Sequence, residues 1–145
     1  MTSRFWKKPT KESAEEREKR IRQAVAVILL EAAYADDDFT PQEGARIGEV
    51  LKGMFGLDAA EIEEVVAMAE RDRSRSIDLW PFARAINSEF DAREKERVIE
   101  GVWEVIYADE RLDQYEDYLV HKIARVLHIP HDVMIRAKLR AKGGE

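Results

Sequence analysis

The residues of this chain best suited to chemistry are carboxylates gathered in two short segments. Glu31-Ala-Ala-Tyr-Ala-Asp-Asp-Asp-Phe-Thr-Pro-Gln-Glu43 returns 73 positions later as Glu104-Val-Ile-Tyr-Ala-Asp-Glu-Arg-Leu-Asp-Gln-Tyr-Glu116. Glu, Tyr, Ala, Asp and the final Glu coincide, and Phe39 matches Leu112. Asp36, Asp38 and Glu43 in the first copy, with Asp109, Asp113 and Glu116 in the second, are the candidate metal ligands. A donor set made only of carboxylate oxygens suits a hard divalent cation such as Ca²⁺, Mg²⁺ or Mn²⁺. Neither copy is an EF-hand: Asp and Glu stand seven apart rather than eleven, and no glycine falls between them. One such segment also offers few ligands against the six to eight oxygens that Ca²⁺ takes, so two segments facing each other make the stronger site.

Part of each motif has a second reading. Thr40-Pro41-Gln42-Glu43 and Asp113-Gln114-Tyr115-Glu116 both fit an N-capping box, in which the glutamate serves the helix backbone and contributes about 1 kcal/mol. Capping does not account for Asp36, Asp37, Asp38, Asp109 and Glu110. These follow apolar helical stretches, at the end where the helix dipole disfavours negative charge. A cost incurred in both halves calls for a compensating cation or a basic protein surface.

The elements that carry these segments are helical. Apolar residues recur at i, i+3, i+4 and i+7 almost throughout, and no stretch sustains strand alternation. The expectation is an all-α fold of about seven helices, two pseudo-symmetric triplets joined by a short helix. The first helix is expected over about Ala14 to Ala35 and the fifth over about Ala92 to Tyr107. Gly56 is expected to end the second helix in a left-handed cap with Leu57 as its apolar contact. Asp58 and Glu61 should open the third helix, and Arg71 to Ser76 should form a polar connector. Asp78 is expected to cap the short helix, with Trp80 and Trp103 in the core. The last helix should carry Val133 and Leu139. Phe55-Gly-Leu-Asp58 also corresponds to Leu127-His-Ile-Pro130. The domain division is a basic N-terminal tail, 1–13, and one helical domain, 14–142, with internal repeats 14–71 and 92–142.

Composition narrows the function. In 145 residues the net charge is −6 and cysteine is absent. Disulfides, thiolate metal sites and cysteine nucleophiles are therefore excluded. Six acids stand against Arg46 alone in residues 31–49, while both ends of the chain are basic, which argues against a nucleic-acid surface. No apolar run reaches the roughly 20 residues of a membrane span, and the start lacks a secretory signal, in keeping with a cytoplasmic protein. Phe5-Trp6 beside Lys7-Lys8 offers the one candidate membrane contact, with a mobile or folded-back tail as the plainer reading. His121, His128 and His131 are too few and poorly spaced for a transition-metal site and read as surface or half-buried packing residues. Glu31 and Glu104 read either as supports behind the acidic segments or, more plainly, as solvated flanks. Gly44 and Gly48 read either as a close helix approach or as a weak helix. No phosphate loop, nucleophile elbow or dinucleotide fingerprint is present.

The pattern Ala-Asp-x-x-(apolar)-x-x-x-Glu, at Ala35-Asp36…Phe39…Glu43 and Ala108-Asp109…Leu112…Glu116, resembles the tellurite-resistance protein B (TerB) family. It is also similar to the related domain of membrane-anchored DnaJ-type co-chaperones. The resemblance spans about residues 20–140. It implies a compact all-α domain, cation binding at clustered acids, and a role in stress or tellurite resistance. The family commonly has glycine after the aspartate where this chain has Asp37 and Glu110, which adds negative charge. The expected function is thus a non-enzymatic binding module whose acidic segments hold a divalent cation. The alternative is a metal-free interaction domain that docks a basic protein partner.

Overall fold

The computed structural model describes residues 13–34, 40–75, 78–108 and 114–143, except for the side chains of 114–117. Among these the chain forms seven helices and no strand. They are α1 (Ala14–Ala33), α2 (Pro41–Phe55), α3 (Ala59–Arg75), α4 (Trp80–Glu89), α5 (Ala92–Tyr107), α6 (Gln114–Val126) and α7 (His131–Gly143). None of the described helices is long and apolar enough to cross a membrane.

Why α1 is central follows from its sequence. Every residue from Ala24 to Leu30 is buried, as are Ala32 and Ala33. A helix apolar all round must be covered on all sides, and α1 packs against α2, α3, α4, α5 and α6. The second core helix, α5, buries Val98, Ile99, Val102, Trp103, Val105 and Ile106. The main partner of α1 is α3 and that of α5 is α7; α2 packs on both α1 and α5, and α6 packs on α5 and, less extensively, on α1.

Local signals set the helix ends. Ser13 with Glu16, Thr40 with Glu43, and Asp91 with Glu94 form reciprocal capping boxes, and Asp58 with Glu61 makes the same pair of hydrogen bonds. Gly56 ends α2 at φ 68°, its N–H on the Lys52 carbonyl, and Leu57 is buried behind it. The matching break after α6 has His128 at φ 59°. There the His128 N–H meets Arg125 O and the Ile129 N–H meets Ala124 O, a Schellman motif with buried Ile129 as its apolar contact. The correspondence of 55–58 with 127–130 thus extends to a left-handed residue at the same place in each.

Three local expectations need correction. Residues 71–75 continue α3 rather than forming a connector, because α1 supplies partners for their polar side chains: Gln23 for Asp72 and Glu31 for Arg73. Asp78 accepts the Trp80 N–H at 3.0 Å, but the cap position itself is Leu79, without a side-chain bond. Trp80 is 45% exposed, so it is not a core residue. The last helix carries Val133 and Leu139 as expected, with Leu139 62% exposed. Trp103, in contrast, is fully buried and donates its indole N–H to Met134 O at 3.1 Å.

Candidate functional site

Asp36, Asp38, Asp109 and Asp113 lie outside the described residues, as do the side chain of Glu116 and the Phe5-Trp6 tail. The helix ends that flank the acidic segments are described, and they fix where both segments start and stop. The first leaves α1 at Tyr34 and enters α2 at Thr40; the second leaves α5 at Ala108 and enters α6 before Gln114.

The packing of α2 on α5 decides how these ends are arranged. A Cβ on Gly101 would lie 2.9 Å from Val50 Cγ1, and one on Gly53 would lie 3.9 Å from the Arg97 guanidinium. Arg46 and Glu49 are close enough to act on the Glu104 carboxyl. As α2 numbers rise, the α5 numbers they face fall, so the two helices are antiparallel. Continuing that register puts the first turn of α2, with Glu43, beside the last turn of α5, with Tyr107. The end of the first acidic segment and the start of the second therefore share one end of the bundle. The sense of α1 agrees: its Ala14, Glu18 and Ile21 line one groove with Glu94 and Arg97 of α5, and further on its Leu29 approaches Gly101. Two helices that start at one groove and meet again later run in the same sense, so their C-terminal ends face the same way.

Glu43 is the one candidate ligand whose side chain is described. It is fully buried, its Oε1 accepts the Thr40 N–H at 2.9 Å, and its own N–H is donated to Thr40 Oγ1 at 3.1 Å. The capping reading therefore holds for Glu43, and a cation would draw on its second oxygen only. Among the described residues no group of three or more His, Asp or Glu is placed to hold a metal ion. A site at this end would need the aspartates of both segments.

Between the C-terminal end of α1 and α3 lies a polar cluster that the sequence pattern alone does not show. Tyr34 donates its hydroxyl to Glu70 at 3.1 Å, Arg73 stacks 4.1 Å over the Tyr34 ring, and Arg73 Nε donates to Glu31 Oε1 at 3.0 Å. Burial and the Glu70 carboxylate both raise the Tyr34 pKa. The repeated Glu31/Glu104 and Tyr34/Tyr107 are the available signal in the sequence; Arg73, the partner of both Glu31 and Tyr34, lies in the stretch expected to be a connector. Glu31 is thus an ion-paired residue, not a solvated flank. Glu104 is not one either. It is half-buried, pairs with Arg97 at 3.8 Å, and has its pKa raised by desolvation against the lowering pull of Arg97. Under the second segment Tyr107 stacks on Trp103 at 5.9 Å.

The helix order, the two helix ends at one pole and the buried capping glutamate agree with what the repeated motif implied. Neither curated proteins nor solved structures offer a significant match. The family model described as Tellurite resistance protein TerB matches residues 22–139, a span that takes in α2 to α6 whole and most of α1 and α7. The chain belongs to the TerB family.

Proposed function

We propose that this chain is a non-enzymatic binding module of stress or tellurite resistance whose two acidic segments jointly hold one hard divalent cation. The observation that carries the proposal is the antiparallel register of α2 on α5, which brings one end of each acidic segment to the same pole. One segment alone falls short of the ligands a hard ion takes; two together offer Asp36, Asp38, Asp109, Asp113 and Glu116, with the second oxygen of Glu43. Bound charge would also offset the repulsion between adjacent carboxylates at the negative ends of α1 and α5. A carboxylate-rich pole repels an oxyanion such as tellurite, so the link to resistance runs through a cation or a partner, not direct capture of the anion.

Calorimetric titration with Ca²⁺, Mg²⁺ and Mn²⁺ tests this. Saturable binding is expected, with a rise in Tm, and both should vanish in Asp36→Ala/Asp109→Ala. Absence of heat and of a thermal shift at millimolar ion would sink the proposal. Capture of a basic protein partner that is insensitive to chelator, yet abolished by charge reversal in both segments, would put metal-free docking in its place.

A further inference from the structure

Two histidines ten positions apart in the sequence meet in space. His121 stands in the body of α6 and His131 is the first residue of α7; their ring centres are 5.8 Å apart and the planes are tilted by 32°. The turn between the helices sets this distance. The left-handed His128 and the Schellman hydrogen bonds reverse the chain within a few residues, and Pro130 O then accepts the Met134 N–H in the first turn of α7. The rings are not core packing: His121 is half-buried and His131 exposed, so solvent reaches the pair.

We propose that His121 and His131 form a two-imidazole site for a divalent transition ion such as Zn²⁺, Ni²⁺ or Cu²⁺. Two imidazoles bound to one ion at about 2.0–2.1 Å hold their ring centres about 5–6 Å apart, and the observed 5.8 Å falls within that range. Neutral imidazole nitrogen suits these ions far better than Ca²⁺ or Mg²⁺, which makes the site chemically separate from the acidic segments. Among the described residues no third His, Asp or Glu completes a cluster here.

The test is a titration of the whole chain with Zn²⁺, followed by calorimetry and by the histidine ring signals in NMR. One-site binding at sub-millimolar Zn²⁺ is expected, with the His121 and His131 rings shifting together and His128 unmoved. His121→Gln and His131→Gln should each weaken binding by about tenfold or more. Asp36→Ala/Asp109→Ala should leave it intact. His131 is exposed at a helix start, so its variant keeps the test valid even if the His121 variant folds poorly. No binding at millimolar Zn²⁺, binding that survives either histidine substitution, or a loss caused by His128→Gln alone would each overturn the proposal.

Discussion

The α1–α3 and α5–α7 pairs occupy matching places in the fold, yet they are held by different chemistry. Along α1 and α3 the seam is polar: Gln23 with Asp72, Glu31 with Arg73, Tyr34 with Glu70. Along α5 and α7 an ion network of Glu96 and Glu100 with Arg136 and Arg140 flanks the buried Trp103, over which Lys138 sits at 5.1 Å. The second helices differ too. Gly101 admits Val50, so α2 packs more extensively on α5 than α6 does on α1, where Ile28 takes the corresponding position. What the halves keep in common is backbone geometry, in the helix order and the left-handed break, and in sequence the carboxylate segment. Side-chain partnerships are free to diverge because many pairings can hold two helices at one spacing.

The largest test of this contrast is its apolar anchor. Trp103→Ala should cost about 3–5 kcal/mol in urea unfolding. It should exceed Leu30→Ala at the corresponding position, because it also strips Met134 O of its indole donor. A larger loss from Leu30→Ala would move the main anchor to the first half. Next come the glycines. Gly101→Ala forces a Cβ to 2.9 Å from Val50 and should cost about 1–3 kcal/mol. It should also weaken cation binding by pushing α2 off α5. Gly48→Ala meets only Ile62 at 3.6 Å and should stabilise α2 by about 0.5–1 kcal/mol. Equal effects from both would remove Gly101 as the setting for α2.

The two breaks give an effect of opposite sign. Gly56→Ala places a side chain at φ 68° and should lose about 1 kcal/mol, whereas His128→Gly should gain about 0.5–1 kcal/mol by relieving the same conformation. Chemical denaturation reads both, and a destabilised His128→Gly would assign that residue a contact worth more than its backbone strain.

The smallest effects come from two glutamates of α5 and appear only against pH. Hydrogen bonds from Arg136 and then Arg140 hold the Glu96 carboxyl at about 2. Its stabilisation is therefore present above the ordinary carboxylate range and lost as pH falls toward 2. Glu96→Gln should be less stable than the parent at neutral pH by no more than about 1 kcal/mol, with the gap closing in acid. Glu104 has the opposite sign, because desolvation raises its pKa. The stability it contributes is complete below the ordinary carboxylate range and falls as pH rises through its folded value. Glu104→Gln should thus gain on the parent as pH rises. Tm measured from pH 3 to 8 decides both, and parallel pH profiles for the two variants would contradict the assignment.

Helix boundaries were legible wherever the signal was local. Thr40 with Glu43, Asp58 with Glu61, and Gly56 with Leu57 act within four residues of one another, so neighbouring residues alone specify them. The failures share a different cause. Arg71 to Arg75 looked like a connector because polarity was read without the α1 partners that hold it in a helix. Trp80 sits on a helical stripe, but a stripe does not say whether another helix covers it. Gly44 and Gly48 stand out by their spacing, whereas a Cβ would meet Val50 at 2.9 Å on Gly101 and Ile62 at 3.6 Å on Gly48; nothing near Gly101 in sequence reveals that Val50 lies opposite. The site was legible as a repeated list of carboxylates, and Glu43 as their capping member.

By itself the sequence determined the all-helical class, the family, the two acidic segments and the capped helix ends, since each rests on periodicity or on contacts a few residues long. Only the tertiary structure decided that α2 runs antiparallel to α5, bringing the flanks of both segments to one pole. It also decided that Tyr34, Glu70 and Arg73 meet at the C-terminal end of α1, and that His121 lies beside His131. Those relations join residues on different helices, and their distances follow from how whole apolar faces interlock. A one-dimensional pattern states which faces must be buried but leaves open which partner buries each.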